Sequence, residues 1–217
     1  MNDKNMISCI IPAFNEQTTV GEIARIALSI SLLDEIIVVN DHSNDHTAEV
    51  ARKIGAIVID NTGERGKAQA MEYGVAQANG DVILFLDADL VGLTPTHIES
   101  LIQPVFSGRS DMTIAIRDRG SIIASLNKRL GPWIAGERCL KRSLWEGLPN
   151  EYKKGFQIEL ALNHYAAQQR LRVAPILLNG LSIRRKEQKY GVLRGLWMRV
   201  KMIGELIIVF TKLHLAN

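Results

Sequence analysis

The segment that decides the fold is Asp81-Val82-Ile83-Leu84-Phe85-Leu86-Asp87-Ala88-Asp89-Leu90. Its apolar, β-prone run predicts a strand buried on both faces, as in the middle of a parallel sheet. Side chains two apart on a strand point to the same side, so Asp87 and Asp89 are expected to project together from its carboxyl end. Open α/β sheets bind ligands there, and two carboxylates suit Mg²⁺ or Mn²⁺, which would hold a diphosphate. The alternative is a turn in which Asp89 caps the next element.

The composition is that of an ordinary globular protein. The chain has 217 residues, of which 47% are hydrophobic and 23% charged, enough for one domain with a substantial core. Its two cysteines imply neither a disulfide framework nor a cysteine-based metal site. The N-terminus enters an apolar strand directly, so we expect no signal peptide and a cytoplasmic location.

Strands alternate with helices along the first half, which predicts a mostly parallel α/β sheet with right-handed crossovers. The predicted strands are 6–11, 35–40, 56–60, 81–86 and 112–116, and the predicted helices about 18–31, 47–54, 67–78 and 95–106. Beyond residue 117 we predict short helices at 120–130 and 137–144, a longer helix at 155–169, and strands at 171–174 and 181–184.

Acid-bearing polar residues follow three of the predicted strands. Asn15 and Glu16 follow the first, Asp41 the second, and Asp87 and Asp89 the fourth. Because the carboxyl ends of parallel strands meet at one edge of the sheet, these residues predict a single ligand-binding edge.

A charged glycine loop, Gly63-Glu64-Arg65-Gly66-Lys67-Ala68, precedes a predicted helix. It is not a P-loop, because Asn61 stands at the first glycine position of that pattern and Ala68 at the Ser/Thr position. No G-x-G-x-x-G follows the first strand, which argues against a Rossmann dinucleotide site. Arg65 and Lys67 could still hold a diphosphate at the helix start. The alternative is a solvated basic loop.

Four segments together resemble the family 2 glycosyltransferases with a GT-A fold, most of all the dolichyl-phosphate mannose synthase-like and glucosyl-3-phosphoglycerate synthase-like members. The segments are Ile11-Pro12-Ala13-Phe14-Asn15-Glu16, Val38–Thr47, Arg65–Gly74 and Phe85–Leu90. Their order and spacing over roughly half the chain are far more specific than any one motif.

The resemblance implies a donor that is a UDP- or GDP-linked sugar, with Mg²⁺ or Mn²⁺ as cofactor. Asp89 would bind the metal that bridges the diphosphate, and Asp87 would contact the ribose or the metal's water. Ser43 would help to hold the nucleotide or cap a turn. The implied nucleotide-sugar site comprises Pro12, Ala13, Phe14, Asn15, Glu16, Asp41, Ser43, Arg65, Gly66, Lys67, Asp87 and Ala88.

Inverting transfer needs a general base on the acceptor side of the sugar. Phe156-Gln157-Ile158-Glu159-Leu160 resembles the acidic helix that lines that side in relatives, so Glu159 is the candidate base and Glu137 the second choice. For Glu159 the alternative is a solvent-facing helix residue. An acceptor that is itself a phosphate would have less need of a base, because its nucleophile is already anionic.

The C-terminal segment is basic and amphipathic. From Arg184 onward eight lysines and arginines stand against two glutamates, and Val192–Leu213 has apolar residues at helical spacing in a run too short to span a bilayer. One interpretation is a helix packed on the domain or on a second subunit of a homodimer. The other is a helix lying on anionic lipid at the cytoplasmic membrane face, which suits a lipid-linked acceptor.

These observations predict one GT-A domain over residues 1–217, with a nucleotide-sugar-binding half (1–118), an acceptor half (119–190) and a C-terminal amphipathic helix (191–217). The predicted activity is metal-dependent sugar transfer, with inversion, to a polyprenyl phosphate or another membrane lipid. The alternatives are transfer to a small phosphorylated acceptor and a non-catalytic scaffold with the same fold. A nucleic-acid partner is not expected, because aromatic residues are only 6% of the chain.

Overall fold

The computed structural model describes residues 6–117, 135–153 and 158–184. The strands in these ranges are β1 (Ile7–Ala13), β2 (Glu35–Asn40), β3 (Ile57–Asp60), β4 (Val82–Phe85), β5 (Leu90–Val91), β6 (Met112–Arg117), β7 (Arg138–Lys141), β8 (Val173–Leu178) and β9 (Ser182–Ile183). The helices are α1 (Val20–Leu28), α2 (Thr47–Lys53), α3 (Lys67–Gln77), α4 (Pro95–Phe106), α5 (Arg142–Gly147) and α6 (Ile158–Gln168), with a 3₁₀ turn at Asn150–Tyr152.

Seven of the strands form one sheet in the order β3-β2-β1-β4-β7-β6-β8, and β5 and β9 form a separate antiparallel pair. All neighbours in the large sheet are parallel except β7, which is antiparallel to both β4 and β6. This is the mostly parallel α/β sheet that the sequence predicts. The described helices include none that is both long and apolar enough to cross a lipid bilayer.

The sheet is covered on both faces, which explains its continuously apolar strands. Alternate residues of the central strands enter two core clusters. One contains buried residues of β1, α1 and α4, and the other contains buried residues of α3, α5 and α6. All four residues of β4 are buried, so the run at 82–85 divides its side chains between the two clusters.

Pro12 lies inside β1, although the sequence predicts that it ends the strand. The pairing of β1 with β4 stops at Ile10 and Phe85, whereas the pairing with β2 continues to Ala13. Ile10 and Ala13 accept hydrogen bonds from opposite sides, Ile10 from Leu86 and Ala13 from Asp41. Pro12 therefore faces the side where β4 has already ended, and its missing N–H leaves no sheet hydrogen bond unmade.

The predicted helix at 137–144 is wrong, because residues 138–141 form β7 and α5 begins only at Arg142. Cys139 and Leu140 are fully buried and enter opposite core clusters, which requires the alternation of a strand. The predicted strand at 171–174 lies instead at Val173–Leu178. The strand at 35–40 and the helix at 95–106 are confirmed at both ends. The predicted helices at 120–130 and 192–213 lie outside the described residues.

Leu84→Ala is expected to lower the free energy of unfolding by about 2–5 kcal/mol, because it leaves a cavity inside the sheet's core. Leu84 is fully buried in β4, whereas Leu177 in the edge strand β8 is 54% exposed. Leu177→Ala is the matched control and should lower the free energy of unfolding by less than about 1 kcal/mol. Equal losses in urea denaturation would contradict the central position of β4.

Candidate active site

The site lies at the carboxyl edge of the parallel strands. β1, β2 and β4 end there, β6 ends there with Arg117, and antiparallel β7 begins there after Gly136 and Glu137. The topology thus brings together loops from the first and second halves of the described chain. The acidic strand ends that the sequence places on one edge do lie on that edge.

Asp41 is buried directly after β2 and organises the glycine loop. One of its carboxylate oxygens accepts a hydrogen bond from the Asn61 side-chain amide at 2.8 Å, and the other accepts one from the Gly66 backbone at 3.0 Å. Asn61 also donates to the Glu64 carbonyl at 3.0 Å and accepts from the Gly63 N–H at 3.0 Å. The loop is therefore folded around the Asn61 amide and fastened to Asp41.

The loop after β1 is joined to the loop after β2. Asn15 has a left-handed backbone, with φ at 54°, and its N–H donates to the Ser43 hydroxyl at 3.0 Å. The Ser43 hydroxyl in turn lies 3.4 Å from the Ala13 carbonyl. Ser43 therefore ties the two loops together. The Glu16 N–H donates to the Thr47 hydroxyl at 2.7 Å, so Asn15 and Glu16 are both fixed to the segment that runs from the end of β2 to the start of α2.

Arg65 and Lys67 have different surroundings, although they are two residues apart. Arg65 is exposed, and its guanidinium carbon lies 4.9 Å from the centre of the Phe14 ring. Lys67 begins α3, and its side chain is 24% exposed. Residues 63–65 are as exposed as a solvated loop would be, whereas the Lys67 side chain is largely buried.

The Lys67 ammonium joins both halves of the site. Its Nζ lies 2.6 Å from Oδ1 of Asp87 and 2.8 Å from Oε1 of Glu159. Burial lowers the pKa of Lys67, but the two carboxylates outweigh burial and raise the pKa above its ordinary value, so the ammonium stays charged. The Glu159 side chain is 9% exposed. The alternative of a solvent-facing Glu159 is therefore wrong.

Asp87 is also approached by Arg117, whose Nη2 lies 3.5 Å from the second carboxylate oxygen. Burial raises the pKa of Asp87, but the charges of Lys67 and Arg117 outweigh burial and hold the pKa below its ordinary value. A Cβ added at Gly136 would lie 2.4 and 2.5 Å from the two Asp87 oxygens and 2.5 Å from Nζ of Lys67. The backbone at Gly136 therefore closes the remaining side of this ion pair.

Glu137, the second candidate base, is fully buried and engaged by Arg117. The Arg117 guanidinium binds it with two nitrogens, Nη2 at 2.5 and 2.7 Å and Nε at 3.2 Å. Arg138 is also fully buried. Its Nη2 donates to the Ala135 carbonyl at 2.6 Å, and its Nη1 lies 3.4 Å from the Glu159 carbonyl, so it supports the backbone on both sides of the Lys67 ion pairs.

Asp89 lies beyond the end of β4, in the loop that leads to β5. The strand stops at Phe85, so Asp87 and Asp89 belong to this loop rather than to one strand face. Burial and the nearby charges of Asp87 and Glu16 raise the pKa of Asp89 to about 6. No hydrogen bond or ion pair from the described residues engages its carboxylate. Its negative surroundings are those that a bound cation would relieve.

The described ranges contain no group of three or more His, Cys, Asp or Glu residues that could hold a metal ion. Mg²⁺ on a diphosphate needs only one or two protein carboxylates, because phosphate oxygens and water complete its coordination. The donor set present, Asp89 with Asp87 beside it, fits that kind of metal.

The sequence model that describes glycosyl transferase family 2 matches residues 8–170 of this chain. The chain belongs to glycosyl transferase family 2. The 4,4'-diaponeurosporenoate glycosyltransferase of Staphylococcus haemolyticus (strain JCSC1435) is 39% identical over 104 residues, which cover 45% of this chain and 28% of that protein. The enzyme of the same name from Staphylococcus aureus (strain USA300) is 37% identical over 101 residues, which cover 44% of this chain and 27% of that protein. The matched part is thus little more than a quarter of these curated relatives.

The fold is that of solved family structures. Glucosyl-3-phosphoglycerate synthase from Mycobacterium tuberculosis in complex with Mn²⁺, UDP and glucosyl-3-phosphoglycerate superimposes with a TM-score of 0.72 and 26% identity, covering 83% of this chain and 72% of that chain. The same enzyme in complex with Mg²⁺ and UDP gives a TM-score of 0.72 and 25% identity, with the same coverage. The central sheet and flanking helices match the predicted GT-A fold.

Several residues at the site are missed by sequence reasoning. Arg117, Gly136 and Arg138 come from the second half of the sheet, and Asn61 enters the sequence argument only as a mismatch to the P-loop. The one available signal is that Arg117 directly follows the predicted strand at 112–116, whose carboxyl end lies at the acidic edge. Its partner Glu137 is considered only as a base.

Lys67→Met should destabilise the fold by about 3 kcal/mol, because it leaves two largely buried carboxylates without their shared cation. Chemical denaturation measures the loss. Lys53→Met is the matched control, since Lys53 pairs with Glu49 while 72% exposed and such surface pairs contribute little. A Lys67→Met protein as stable as the Lys53→Met protein would show that the ion pairs do not hold this site together.

Proposed function

We propose that this protein transfers a sugar from a UDP- or GDP-sugar to an acceptor, with Mg²⁺ or Mn²⁺ and with inversion at the sugar. The observation that carries the proposal is the Lys67 ammonium between Asp87 and Glu159, beside the Asp89 carboxylate, which no hydrogen bond or ion pair from residues 6–117, 135–153 and 158–184 engages. Donor-side and acceptor-side candidates thereby meet at one point on the ligand-binding edge. Membership of the family and the UDP-bound structures of its fold neighbours support the donor class.

The nucleotide would lie over the loops after β1 and β2. The proposed contacts on the base and ribose come from Asp41, Ser43 and the loop residues Pro12, Ala13, Phe14, Asn15 and Glu16. Arg65, Gly66 and Lys67 would face the diphosphate, since positive side chains and a helix N-terminus attract an anion. Asp87 and Ala88 would adjoin the ribose and the sugar.

Asp89 would be the main metal ligand, because Asp87 is already held by two cations. A bound Mg²⁺ or Mn²⁺ supplies positive charge for the nucleoside diphosphate that departs. The protein's part is to present Asp89 without an ion pair from the described part of the chain and to keep Asp87 oriented beside it.

Glu159 is the proposed general base. For an acceptor that reacts through a hydroxyl, it takes the acceptor's proton while the acceptor oxygen bonds to the anomeric carbon and the bond from that carbon to the diphosphate breaks. A phosphate acceptor attacks as an anion, so that bond exchange then needs no proton transfer to Glu159. The diphosphate leaves with the bonding electrons. Glu137 is a poorer candidate, since its carboxylate is fully buried against Arg117. Lys67 would be shared between Glu159 and the diphosphate once a donor is bound.

The proposed acceptor is a polyprenyl phosphate or another membrane lipid. The basic, apolar C-terminal sequence supports it, with the segment at 191–217 resting on the cytoplasmic membrane face or on a second subunit. The alternative is a small phosphorylated acceptor, which is favoured by fold neighbours crystallised with phosphoglyceric acid, as in the complex with Mn²⁺, UDP-glucose and phosphoglyceric acid. A non-catalytic scaffold remains the third hypothesis.

UDP or GDP with Mn²⁺ should raise the melting temperature of the protein. When the free nucleotide is at a hundredfold excess over its Kd, binding adds about 2.7 kcal/mol to the free energy of unfolding. For a chain of this size that gain raises the melting temperature by roughly 5–10 °C. Asp89→Asn should abolish the Mn²⁺-dependent part of the shift. Asp60→Asn is the matched control, because Asp60 also ends a strand at this edge but pairs with exposed Arg52. No shift with any nucleotide would sink the transferase proposal and favour the scaffold.

The acceptor is tested separately with UDP-glucose and GDP-mannose as donors. Release of nucleoside diphosphate that depends on polyprenyl phosphate in detergent supports the lipid acceptor. Release that depends on 3-phosphoglycerate, with none for the lipid, would overturn it in favour of the small acceptor. With an acceptor that reacts through a hydroxyl, Glu159→Gln should lower kcat far more than the donor KM, since it removes a proton acceptor and leaves the donor loops intact. With polyprenyl phosphate the loss of kcat should be smaller, because that nucleophile is already anionic.

A further inference from the structure

Arg117 holds a position at the site that no motif indicates. It is the last residue of β6, its side chain is 8% exposed, and its guanidinium forms a two-nitrogen fork on the fully buried Glu137. The fork fixes the plane of the guanidinium, because both partners are planar and matched in spacing. The Ala115 N–H also donates to the Glu137 carbonyl at 3.0 Å, so β6 and the start of β7 carry the pair as one unit.

The outer nitrogen of this fork faces the carboxylate of Asp87. Nη2 of Arg117 lies 3.5 Å from Oδ2, while Lys67 occupies the Oδ1 side at 2.6 Å. The backbone at Gly136 lies against both oxygens, since a Cβ there would be 2.4 and 2.5 Å away. Asp87 is therefore restricted from three directions by groups on α3, β6 and the segment before β7.

Stability alone is a weak reason for this arrangement. A buried ion pair loses the hydration of both charges, and its mutual attraction repays that loss only in part. The same β6 strand has a second arginine–carboxylate fork near its other end, where Arg172 binds Asp111 through Nε and Nη2 at 3.0 Å each. That pair is partly exposed, with the Arg172 side chain at 58%. Of these two described forks, the one at Arg117 faces a candidate site residue.

We propose that Arg117, fixed by Glu137, is a positioning residue that orients Asp87 toward the metal–diphosphate part of the donor. The inference rests on the proposed function, because it assigns Arg117 a role in that same site. Arg117 acts through Asp87 and makes no contact with substrate in this account. Its replacement by lysine, which leaves a cation beside the buried Glu137, should therefore weaken the cooperation between metal and nucleotide.

The test compares Arg117→Lys with Arg172→Lys. Lysine keeps the charge but cannot fork Glu137 and reach Asp87 together. Calorimetry gives the Kd of UDP, or of GDP if wild type binds GDP, with and without Mn²⁺. In Arg117→Lys the affinity for the nucleotide measured with Mn²⁺ should fall 10–100-fold, as for other residues that orient a metal ligand. The values of Kd measured with and without Mn²⁺ should therefore become nearly equal. Arg172→Lys should stay within about twofold of wild type, as expected for a surface pair.

Glu137→Gln is the second variant, since it frees the guanidinium while leaving Arg117 in place. It should lower the Mn²⁺-dependent affinity in the same direction. Wild-type behaviour in both site variants, or an equal loss in Arg172→Lys, would overturn the positioning role while leaving the proposed function intact. Wild type that binds neither nucleotide with Mn²⁺ would overturn the proposed function and this inference with it.

Discussion

The ion pairs of Lys67 are the constraint on which the site depends. One ammonium lies within 2.8 Å of carboxylates from Asp87 and Glu159, which are far apart in the chain. Without a cation between them, these two largely buried carboxylates would repel each other and destabilise the fold. By pairing with both carboxylates, Lys67 holds α3, the loop after β4 and the start of α6 at one point.

The antiparallel strand β7 provides the rest of this constraint. Because β7 runs opposite to β4 and β6, its first residues lie at the carboxyl edge of the parallel strands. Gly136 and Glu137 reach Asp87 and Arg117 from there, and Arg138 supports the backbone at Glu159. A parallel strand in the same place would put these residues at the opposite end of the sheet. The direction of one strand therefore decides which residues surround Asp87.

The first half of the fold could be predicted from sequence because local pattern and burial agree there. Runs such as 35–40 and 82–85 are apolar on both faces and bounded by polar residues. The segment at 137–144 misled the prediction because its buried Arg138 and Glu137 interrupt the apolar pattern of a strand. Asp89 and Lys67 could be named from motifs, whereas their surroundings could not. The fork of Arg117 on Glu137 and the close approach of Gly136 depend on pairings between distant segments, which no local spacing encodes.

The central claim is that the edge beside Lys67 binds a nucleoside diphosphate through a metal held by Asp89. The most direct measurement is the anomalous scattering of Mn²⁺ in a crystal of the full chain grown with UDP and Mn²⁺. The account predicts one strong peak within about 2–2.5 Å of an Asp89 carboxylate oxygen and of diphosphate oxygens. UDP bound at another surface, or Mn²⁺ bound away from Asp89, would contradict it.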